Sequence, residues 1–447
     1  MRSIKVDKKT LIFHIINYTA LDGMVRLCDK ASQIGHKCIL LLEKEIKPKG
    51  NYKNILLEVS DKKESRYSIL IKKILNYFNI YNFDKIIQEW IDTHKKNEEE
   101  IENIFKKINP DAIFVYGDRH GLHEPAIIQV SKKMGIKVII PPIAYKTGFE
   151  GILASRRKFL NKQTVVTKDK IFKNQYPGQW TYDNLSKEDI CFYEKWNVIA
   201  REKCDILPKN PWTLGSTGSV FVCAEGELDK RRLMNHGVKT EKILLTGSLE
   251  HDMLFEKFNQ QKETKEKLEK AYRLDSKKSI ILIALPQTFE HGYLSFEKHW
   301  ELQENICSQA SKSGHNILIS LHPKMKWNIY KFLEKKYSVK IIREKLAEVL
   351  PAVDIFIVGQ GSSTIPLALL CELPIIIIDS YGLNFSRYDW IISKTTIKCY
   401  NQLYEAIKNI IDNDQKIARI KKNHASQKEL ISPFDGKCVD RIFNFLK

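Results

Sequence analysis

Glycine and hydroxyl side chains cluster in a turn, residues 359–364, between an apolar strand-length segment and a short apolar helix. The turn contains Gly359, Gly361, Ser362, Ser363 and Thr364. Glycine lets a ligand approach the backbone closely, hydroxyls donate hydrogen bonds, and free N–H groups at a helix start favour negative charge. We call this segment the glycine-hydroxyl turn and predict that it binds an anion such as phosphate. The same residues would also suit an ordinary N-capped turn.

A histidine, His322, follows another strand-length segment, residues 316–321, and is itself followed by Pro323. If both strands belong to one parallel sheet, His322 and the glycine-hydroxyl turn lie at its carboxyl edge, where such sheets bind ligands. An imidazole donates a hydrogen bond to a phosphate oxygen and, when protonated, also neutralises its charge. A lone histidine is often structural, but a His-Pro pair at a strand end is unusual in a core. We therefore predict that His322, Pro323 and the turn bind one phosphate group.

Carboxylates in the first half of the chain are candidates for a general base. Asp118 follows a strand-length apolar segment and has Arg119, His120 and Glu124 beside it. Glu150 lies further along, in a Gly-Phe-Glu-Gly segment. Either Asp118 or Glu150 could take a proton from an acceptor hydroxyl. Asp118 could instead satisfy a helix dipole, and Glu150 could be an ordinary surface residue, so the spacing leaves the choice open.

The chain has 447 residues, 43% of them hydrophobic, enough for about two to three domains. Its 73 Lys and Arg against 54 Asp and Glu give a net charge of +19. This surplus suits a polyanionic partner or an anionic membrane face, although charge spread along a chain is often only a solvated surface. The nine cysteines include no Cys-x-x-Cys pair, which argues against disulfides and zinc and predicts a reducing cytoplasm. No segment approaches the roughly 18–20 apolar residues needed to cross a bilayer, so any membrane contact would be peripheral.

Several familiar site motifs are missing from the sequence. It has no Gly-x-x-x-x-Gly-Lys-Ser/Thr loop, no Gly-x-Gly-x-x-Gly after the first strand, no His-Glu-x-x-His and no Gly-x-Ser-x-Gly. P-loop hydrolysis, simple dehydrogenation and serine hydrolase chemistry are therefore disfavoured. Nucleic-acid binding rests on net charge alone, and we expect no nucleic-acid partner.

Strand-length apolar runs alternate with helical segments along most of the chain, which predicts an α/β protein with doubly wound parallel sheets. We expect an N-terminal domain over residues 1–257, with a basic and aromatic insertion at about residues 145–214 that forms either an added helical layer or a platform for a polymeric acceptor. Residues 258–276 are polar and rich in lysine and glutamate, and are predicted to connect the domains. A C-terminal domain follows over residues 277–424, and a last helix at residues 425–447 is expected to pack back on the first domain.

These segments resemble the GT-B superfamily of nucleotide-sugar enzymes. Residues 219–227 and 245–252 look like the end of the N-terminal domain in these enzymes, and residues 359–374 look like their donor-phosphate segment. The resemblance implies two doubly wound Rossmann-like domains that face a central cleft. It also implies that the acceptor binds to the first domain and the donor nucleotide to the second, with the nucleotide base near residues 341–350.

Two branches of the superfamily compete. Residues 115–124 are similar to the Gly-Asp-Arg region of UDP-N-acetylglucosamine 2-epimerases, but the acids and the histidine that those enzymes use later in the chain are largely missing here. The other branch comprises bacterial surface-polysaccharide transferases, including polysialyltransferases, Kdo transferases and CDP-glycerol polymerases, which pair a His-Pro with a Ser-Ser turn. By this second resemblance Glu150 is the base, with Asp118 in reserve, and His322, Ser362 and Ser363 hold the donor phosphate.

The sequence thus predicts a glycosyltransferase that moves a sugar from a nucleotide-sugar to a cell-surface glycan or its lipid-linked precursor, as in capsule or lipopolysaccharide synthesis. We expect no cofactor and no metal, because a helix dipole and His322 would stabilise the departing phosphate. The protein would act in the cytoplasm or peripherally on the inner face of the cytoplasmic membrane. A UDP-N-acetylglucosamine 2-epimerase is the first alternative, and a non-catalytic protein that binds sugar nucleotides or nucleic acid is the second. The donor base, the sugar, the acceptor and the stereochemical outcome are left open.

Overall fold

A computed structural model of the chain describes residues 8–43, 46, 48, 50, 52–57, 83–121, 123–143, 153, 169–184, 186–290, 294–379 and 388–447. The chain divides into two compact units, one formed by Met1–Leu249 with Val439–Lys447 and the other by Glu250–Cys438. The first unit ends at Leu249, before the predicted boundary at residue 257.

The first unit is built on a parallel sheet with the strand order β3-β2-β1-β4-β5-β8-β9 in the described residues. Its strands are β1 Thr10–Ile15, β2 Lys37–Leu42, β3 Asn54–Leu56, β4 Ala112–Phe114, β5 Lys137–Ile140, β8 Phe221–Ala224 and β9 Ile243–Leu245. Four helices alternate with them: α1 Tyr18–Gln33, α2 Phe83–Ile108, α3 Glu124–Met134 and α6 Glu227–Asn235. β4 is wholly apolar, β1 is apolar apart from Thr10 and His14, and both strands are almost wholly buried, as expected for parallel strands whose two faces are both covered.

The order of this sheet reverses between β1 and β4. Leu11 pairs with Cys38 of β2 on one side and with Ala112 of β4 on the other, so the chain leaves β1 in one direction and later returns to its opposite side. The loops that follow β1 and β4 therefore flank the topological switch point, which is where open α/β sheets bind ligands. We call residues 115–123 the β4 loop.

The predicted insertion at residues 145–214 is described only in part, because 144–152, 154–168 and 185 lie outside the described residues. The rest contains helix α4 Lys170–Gln175, helix α5 Lys195–Lys203 and an antiparallel hairpin of β6 Trp180–Asp183 with β7 Glu188–Cys191. Its aromatic side chains pack on one another, and Phe172, Phe192 and Trp212 are buried in a small separate core. This packing favours an added structural layer over an aromatic platform for an acceptor.

The second unit repeats the same architecture. Within the described residues its parallel sheet has the order β12-β11-β10-β13-β14-β15. The strands are β10 Ile280–Ala284, β11 Asn316–Ser320, β12 Val339–Ile341, β13 Ile355–Gly359, β14 Ile375–Ile378 and β15 Thr395–Ile397. The helices are α7 Leu249–Asn259, α8 Gln261–Tyr272, α9 Phe296–Ser311, α10 Trp327–Tyr330, α11 Phe332–Lys336, α12 Leu346–Val349, α13 Ile365–Leu370, α14 Leu403–Ile411, α15 Asp414–Ala425 and α16 Lys428–Ile431. The last helix, α17 Cys438–Asn444, belongs to the first unit from Val439 onward. Each unit is thus a doubly wound Rossmann-like fold, as predicted.

Residues 258–276, predicted to be a polar connection, are instead mostly helical. Helix α8 has Leu268 buried in the second core, and Tyr272 packs against the same core. Lys265 also pairs with Asp354 at 3.3 Å. The segment is therefore part of the second unit.

The end of the chain returns to the first unit. The Arg441 guanidinium donates a hydrogen bond to the carbonyl of Thr246 at 3.1 Å. The ring of Phe443 lies 5.4 Å from His36, and the ring of Phe445 lies 4.6 Å from Phe221. Among the described helices, none is both long enough and apolar enough to cross a bilayer.

Candidate functional site

The glycine-hydroxyl turn begins at the carboxyl end of β13, between β10 and β14. Gly361 has a φ of +79°, a conformation that favours glycine. The Ser362 and Thr364 hydroxyl oxygens are 2.9 Å apart, and the Thr364 N–H donates to Ser362 Oγ at 3.3 Å. These contacts fold the turn back on itself and fix its shape.

Some backbone donors of the glycine-hydroxyl turn are available to a ligand. Within the described part of the chain, the backbone N–H groups of Gly361 and Ser363 donate to no protein acceptor. The helix that follows, α13, has only six residues and carries Pro366 in its first turn. A short helix with a proline contributes little dipole, so the anion-binding capacity depends on the N–H groups and hydroxyls of the turn. This differs from the predicted role of the helix.

His322 lies at the same carboxyl edge, immediately beyond β11. Its ring Nδ1 accepts a hydrogen bond from the Lys324 N–H at 3.1 Å, and its carbonyl accepts one from the Met325 N–H at 2.7 Å. Burial and, to a lesser extent, the charge of Lys324 lower the pKa of His322. The ring is therefore neutral at pH 7 with its hydrogen on Nε2, and it can act as a hydrogen-bond donor. Pro323 is exposed.

β10 lies between β11 and β13, so the loop after β10, residues 285–290, separates His322 from the glycine-hydroxyl turn. Two strand spacings amount to about 10 Å. The sheet thus brings the predicted donor-site residues His322, Pro323, Gly361, Ser362, Ser363 and Thr364 to one edge of the second unit. We call residues 285–290 the β10 loop, and it flanks the switch point of this sheet.

A series of linked hydrogen bonds holds the β10 loop in place. The Phe289 N–H donates to Nδ1 of the buried His299 at 3.3 Å, and the Thr288 hydroxyl lies 2.8 Å from the same atom. Because Nδ1 is an acceptor, Nε2 carries the hydrogen and faces the Tyr330 hydroxyl at 2.8 Å. Tyr330 in turn donates to Glu290 Oε1 at 2.9 Å. No sequence motif announces these hydrogen bonds, because the residues that form them come from the β10 loop, α9 and α10.

The β10 loop also presents acceptors that the protein leaves unused. No described residue donates to Glu290 Oε2 or Gln287 Oε1, although both atoms are buried. The negative charge of Glu290 raises the pKa of His322 and so offsets part of the decrease caused by burial and Lys324. The carboxylate is therefore close enough to the imidazole to interact with it electrostatically. The carboxyl edge of the second unit therefore combines donors on the turn with acceptors on the β10 loop.

In the first unit, Asp118 is buried and its carboxylate is fully engaged. Oδ1 accepts the Gly215 N–H at 3.0 Å, and Oδ2 accepts both the N–H and the hydroxyl of Thr217 at 3.0 Å. Burial raises the pKa of Asp118, while these hydrogen bonds oppose the rise. The contacts anchor residues 215–217 to the β4 loop and lend no support to a general base here, so that role stays a prediction. Glu150 lies outside the described residues, and its role also stays a prediction.

A buried cluster of acids and histidines lies beside the β4 loop and was not predicted from the sequence. Glu43 Oε1 is 3.0 Å from His14 Nε2, and Glu43 Oε2 is 2.9 Å from His123 Nδ1. Burial alone would raise the pKa of Glu43, but its contacts with His123 and His14 lower the pKa to about 2. Burial would lower the pKa of His123, and the Glu43 carboxylate raises it instead.

Comparison with known proteins gives one sequence family. The family described as CDP-Glycerol:Poly(glycerophosphate) glycerophosphotransferase matches residues 222–369, less than half of the chain but including His322 and the glycine-hydroxyl turn. Among curated proteins, none matches the chain in sequence.

Three solved structures resemble the chain over nearly its whole length. A glycosyltransferase from Rickettsia africae ESF-5 is 13% identical, with a TM-score of 0.51 and coverage of 99% of this chain and 98% of that one. The UDP-GlcNAc 2-epimerase from Neisseria meningitidis bound to UDP-GlcNAc is 12% identical, with a TM-score of 0.53 and coverage of 98% and 99%. The wall teichoic acid polymerase TagF is 14% identical, with a TM-score of 0.53 and coverage of 99% and 88%.

Identities this low establish the fold alone. The fold is nevertheless the GT-B fold, as the sequence resemblance predicted. The matched segment starts in β8 of the first unit and continues through the part of the second unit that carries His322 and the turn. The chain therefore has the GT-B fold.

Proposed function

We propose that this protein transfers a group from a nucleotide-activated donor to an acceptor hydroxyl of a cell-surface polymer or its lipid-linked precursor. The observation that supports it most directly is the carboxyl edge of the second unit. There the Gly361 and Ser363 N–H groups, the turn hydroxyls and His322 offer donors to a phosphate, within the segment that matches a glycerophosphotransferase family.

The β10 loop supports a donor that carries hydroxyl groups. Glu290 Oε2 and Gln287 Oε1 are buried acceptors without a described partner, and a bound polyol or sugar would donate to them. A nucleotide-linked glycerol and a nucleotide-sugar share this chemistry. The family match makes CDP-glycerol the first donor to test, and the UDP-GlcNAc bound to the structurally similar epimerase makes a UDP-sugar the second.

The departing nucleotide phosphate would be stabilised by the N–H groups of the turn and by His322. In this mechanism a metal is not required, and transfer should persist in the presence of EDTA. The acceptor would bind to the first unit, and the net charge of +19 would favour an acceptor that is anionic or embedded in an anionic membrane.

The first test is thermal stabilisation of the purified protein by CMP, CDP, UDP and GDP, because a ligand that binds only the folded state raises its melting temperature. Two histidines at opposite ends of β11 provide a matched pair of variants. His322→Ala should weaken nucleotide binding by about 10- to 100-fold, the cost of a lost charge-assisted hydrogen bond. His315→Ala, immediately before β11, should leave it unchanged.

Stabilisation by a cytidine or uridine nucleotide, lost in His322→Ala alone, would support the donor site and identify the donor base. Equal effects of the two substitutions would place the nucleotide elsewhere. Release of free N-acetylmannosamine from UDP-N-acetylglucosamine without any acceptor would instead favour the 2-epimerase alternative. No stabilisation by any of the four nucleotides would contradict the proposal.

A further inference from the structure

Glu124, the first residue of α3, is a buried carboxylate that holds the β4 loop from within. Its Oε1 accepts the backbone N–H of His120 at 3.1 Å and lies 3.0 Å from Nδ1 of the same residue. Its Oε2 accepts the Gly117 N–H at 3.1 Å. Burial alone would raise the pKa of Glu124, but the charge and hydrogen bonds of His120 lower it below the usual value. The carboxylate is therefore ionised at neutral pH.

This contact determines the tautomer of His120. An ionised carboxylate only accepts hydrogen bonds, so Nδ1 of the neutral ring carries the hydrogen and Nε2 has the lone pair. The His120 carbonyl accepts a hydrogen bond from the Arg201 guanidinium at 2.8 Å. The side chain is 34% exposed, and no described residue bonds to Nε2. Nε2 is thus available to a ligand, whereas the backbone and Nδ1 of His120 are engaged.

The position of the imidazole is fixed by close packing. A Cβ atom on Gly117 would lie 2.8 Å from both Cε1 and Nδ1 of the ring, so the ring occupies space that only glycine leaves open. The Tyr116 ring packs on His120 with a centroid distance of 5.3 Å. These contacts hold the imidazole at the switch point of the first sheet, where a ligand is expected.

The other titratable groups near this edge are less suited to proton transfer with a ligand. Asp118 has both oxygens occupied by backbone and hydroxyl donors and is 4% exposed. His14 and His123 are 0% and 1% exposed and face Glu43. His120 combines an ionised partner on one ring nitrogen with access on the other, which is the arrangement of a carboxylate-oriented general base.

We propose that His120, oriented by Glu124, is the general base of the transfer reaction; this inference rests on the proposed function. His120 Nε2 takes the proton of the acceptor hydroxyl as its oxygen bonds to the transferred carbon or phosphorus. The bond from that atom to the nucleotide phosphate oxygen breaks, and its electron pair leaves with the nucleotide. Glu124 stabilises the imidazolium that forms, and Asp118 acts as a positioning residue for residues 215–217.

The first experiment needs no substrate. Nitrogen NMR of the protein labelled with ¹⁵N-histidine, assigned with His120→Asn, reads which ring nitrogen carries the hydrogen. We expect the hydrogen on Nδ1 of His120. A hydrogen on Nε2 would overturn the proposal, because that nitrogen could not accept a proton.

The second experiment measures nucleotide release from CDP-glycerol and from UDP-N-acetylglucosamine with isolated cell-envelope membranes as acceptor. His120→Asn should lower the rate by about 10²- to 10⁴-fold, the usual contribution of a general base, and leave stabilisation by the nucleotide unchanged. Added imidazole should partly restore the rate of His120→Ala, which the loss of a purely structural residue would not allow. His236→Asn, at the C-terminus of α6 and outside the β4 loop, should match the wild-type rate.

Glu124→Gln should lower the rate of nucleotide release and leave stabilisation by the nucleotide unchanged, because glutamine lacks the charge that stabilises the imidazolium formed in the step. An unchanged rate in His120→Asn, with the nucleotide still bound, would overturn the base assignment while the proposed function stands. Wild-type protein that neither binds nor releases a nucleotide would overturn both.

Discussion

The Gly117 backbone and the His120 ring lie so close that a methyl group at position 117 would displace the imidazole. We expect Gly117→Ala to lower the transfer rate by at least tenfold without changing nucleotide stabilisation, because the ring swings away while the second unit is untouched. Gly121→Ala is the matched control, since a Cβ atom there would meet nothing within 4 Å. Equal rates in both variants would show that the ring position is unimportant. The measurement is the nucleotide-release assay.

The Glu43 carboxylate, buried between His14 and His123, is a second prediction at the residue scale. Glu43→Gln leaves the buried His123 with only Glu100, 3.4 Å from its Nε2, as a carboxylate partner, so the cost is at most the about 3–5 kcal/mol of breaking a buried pair completely. Hydrogen exchange of the β1 and β4 amides should therefore rise in this variant, while exchange in β10 and β13 stays as it was. Unchanged protection of β1 would contradict the assigned contact.

The same pair predicts how the stability of the first unit depends on pH. Because the pKa of His123 is raised in the folded state, this residue stabilises the first unit fully at pH values below its unfolded-state pKa of about 6.5. The stabilisation is lost as the pH rises through the folded-state pKa of His123. The Glu43 contribution is present above its unfolded pKa and disappears only as the pH falls towards about 2. β1 protection should therefore decline above neutral pH, and His123→Asn should flatten that decline.

At the scale of elements, the Tyr330 hydroxyl joins α10 to Glu290 of the β10 loop and is one of the groups that hold this loop. Tyr330→Phe keeps the packing but leaves His299 Nε2 and Glu290 Oε1 without a partner, which costs about 1–3 kcal/mol. We expect a lower melting temperature and weaker nucleotide stabilisation. Tyr337→Phe removes a hydroxyl bonded to Glu304 at a partly exposed position and should change neither. If Tyr330→Phe bound nucleotide like the wild type, the loop would not be part of the donor site.

The sequence predicted the elements that carry long apolar runs. β1, β10, β11 and β13 are obvious because a parallel strand covered on both faces is mostly apolar, and the polar residues in these four strands are only Thr10, His14, Asn316 and Ser320. Helix α8 was missed because Leu268 is its buried residue, and one apolar position among charged ones gives no helical period. Its place in the second core depends on contacts distant in sequence.

The same distinction applies to the candidate site. His322 and the glycine-hydroxyl turn could be nominated because each directly follows a strand, so the sheet alone brings them to one edge. His120 was visible only as a neighbour of Asp118, because its role depends on the Glu124 side chain, Gly117 and Arg201 in three dimensions. Asp118 was nominated as the reserve base from its place after a strand, and that place does not reveal that both of its oxygens accept hydrogen bonds within the protein.

At the scale of the whole molecule, the net charge of +19 predicts binding to anionic membranes. The protein should sediment with anionic phosphatidylglycerol vesicles at about 50 mM salt and remain in solution with neutral phosphatidylcholine vesicles. At about 0.5 M salt it should dissociate from the anionic vesicles, because the salt screens the charges. Equal binding to both vesicle types would mean that charge does not direct the protein to membranes.

The chain passes between the two units twice, once at residue 249 and again at residue 438, so the second unit is inserted in the first. Phe443 and Phe445, which complete the packing around His36 and Phe221, are translated only after the entire second unit. On the ribosome the second unit can therefore finish folding first, whereas the first unit keeps an open apolar surface until residues 439–447 emerge. The first unit, although synthesised first, is then completed last, and a nascent chain stalled before residue 439 should present that surface to chaperones.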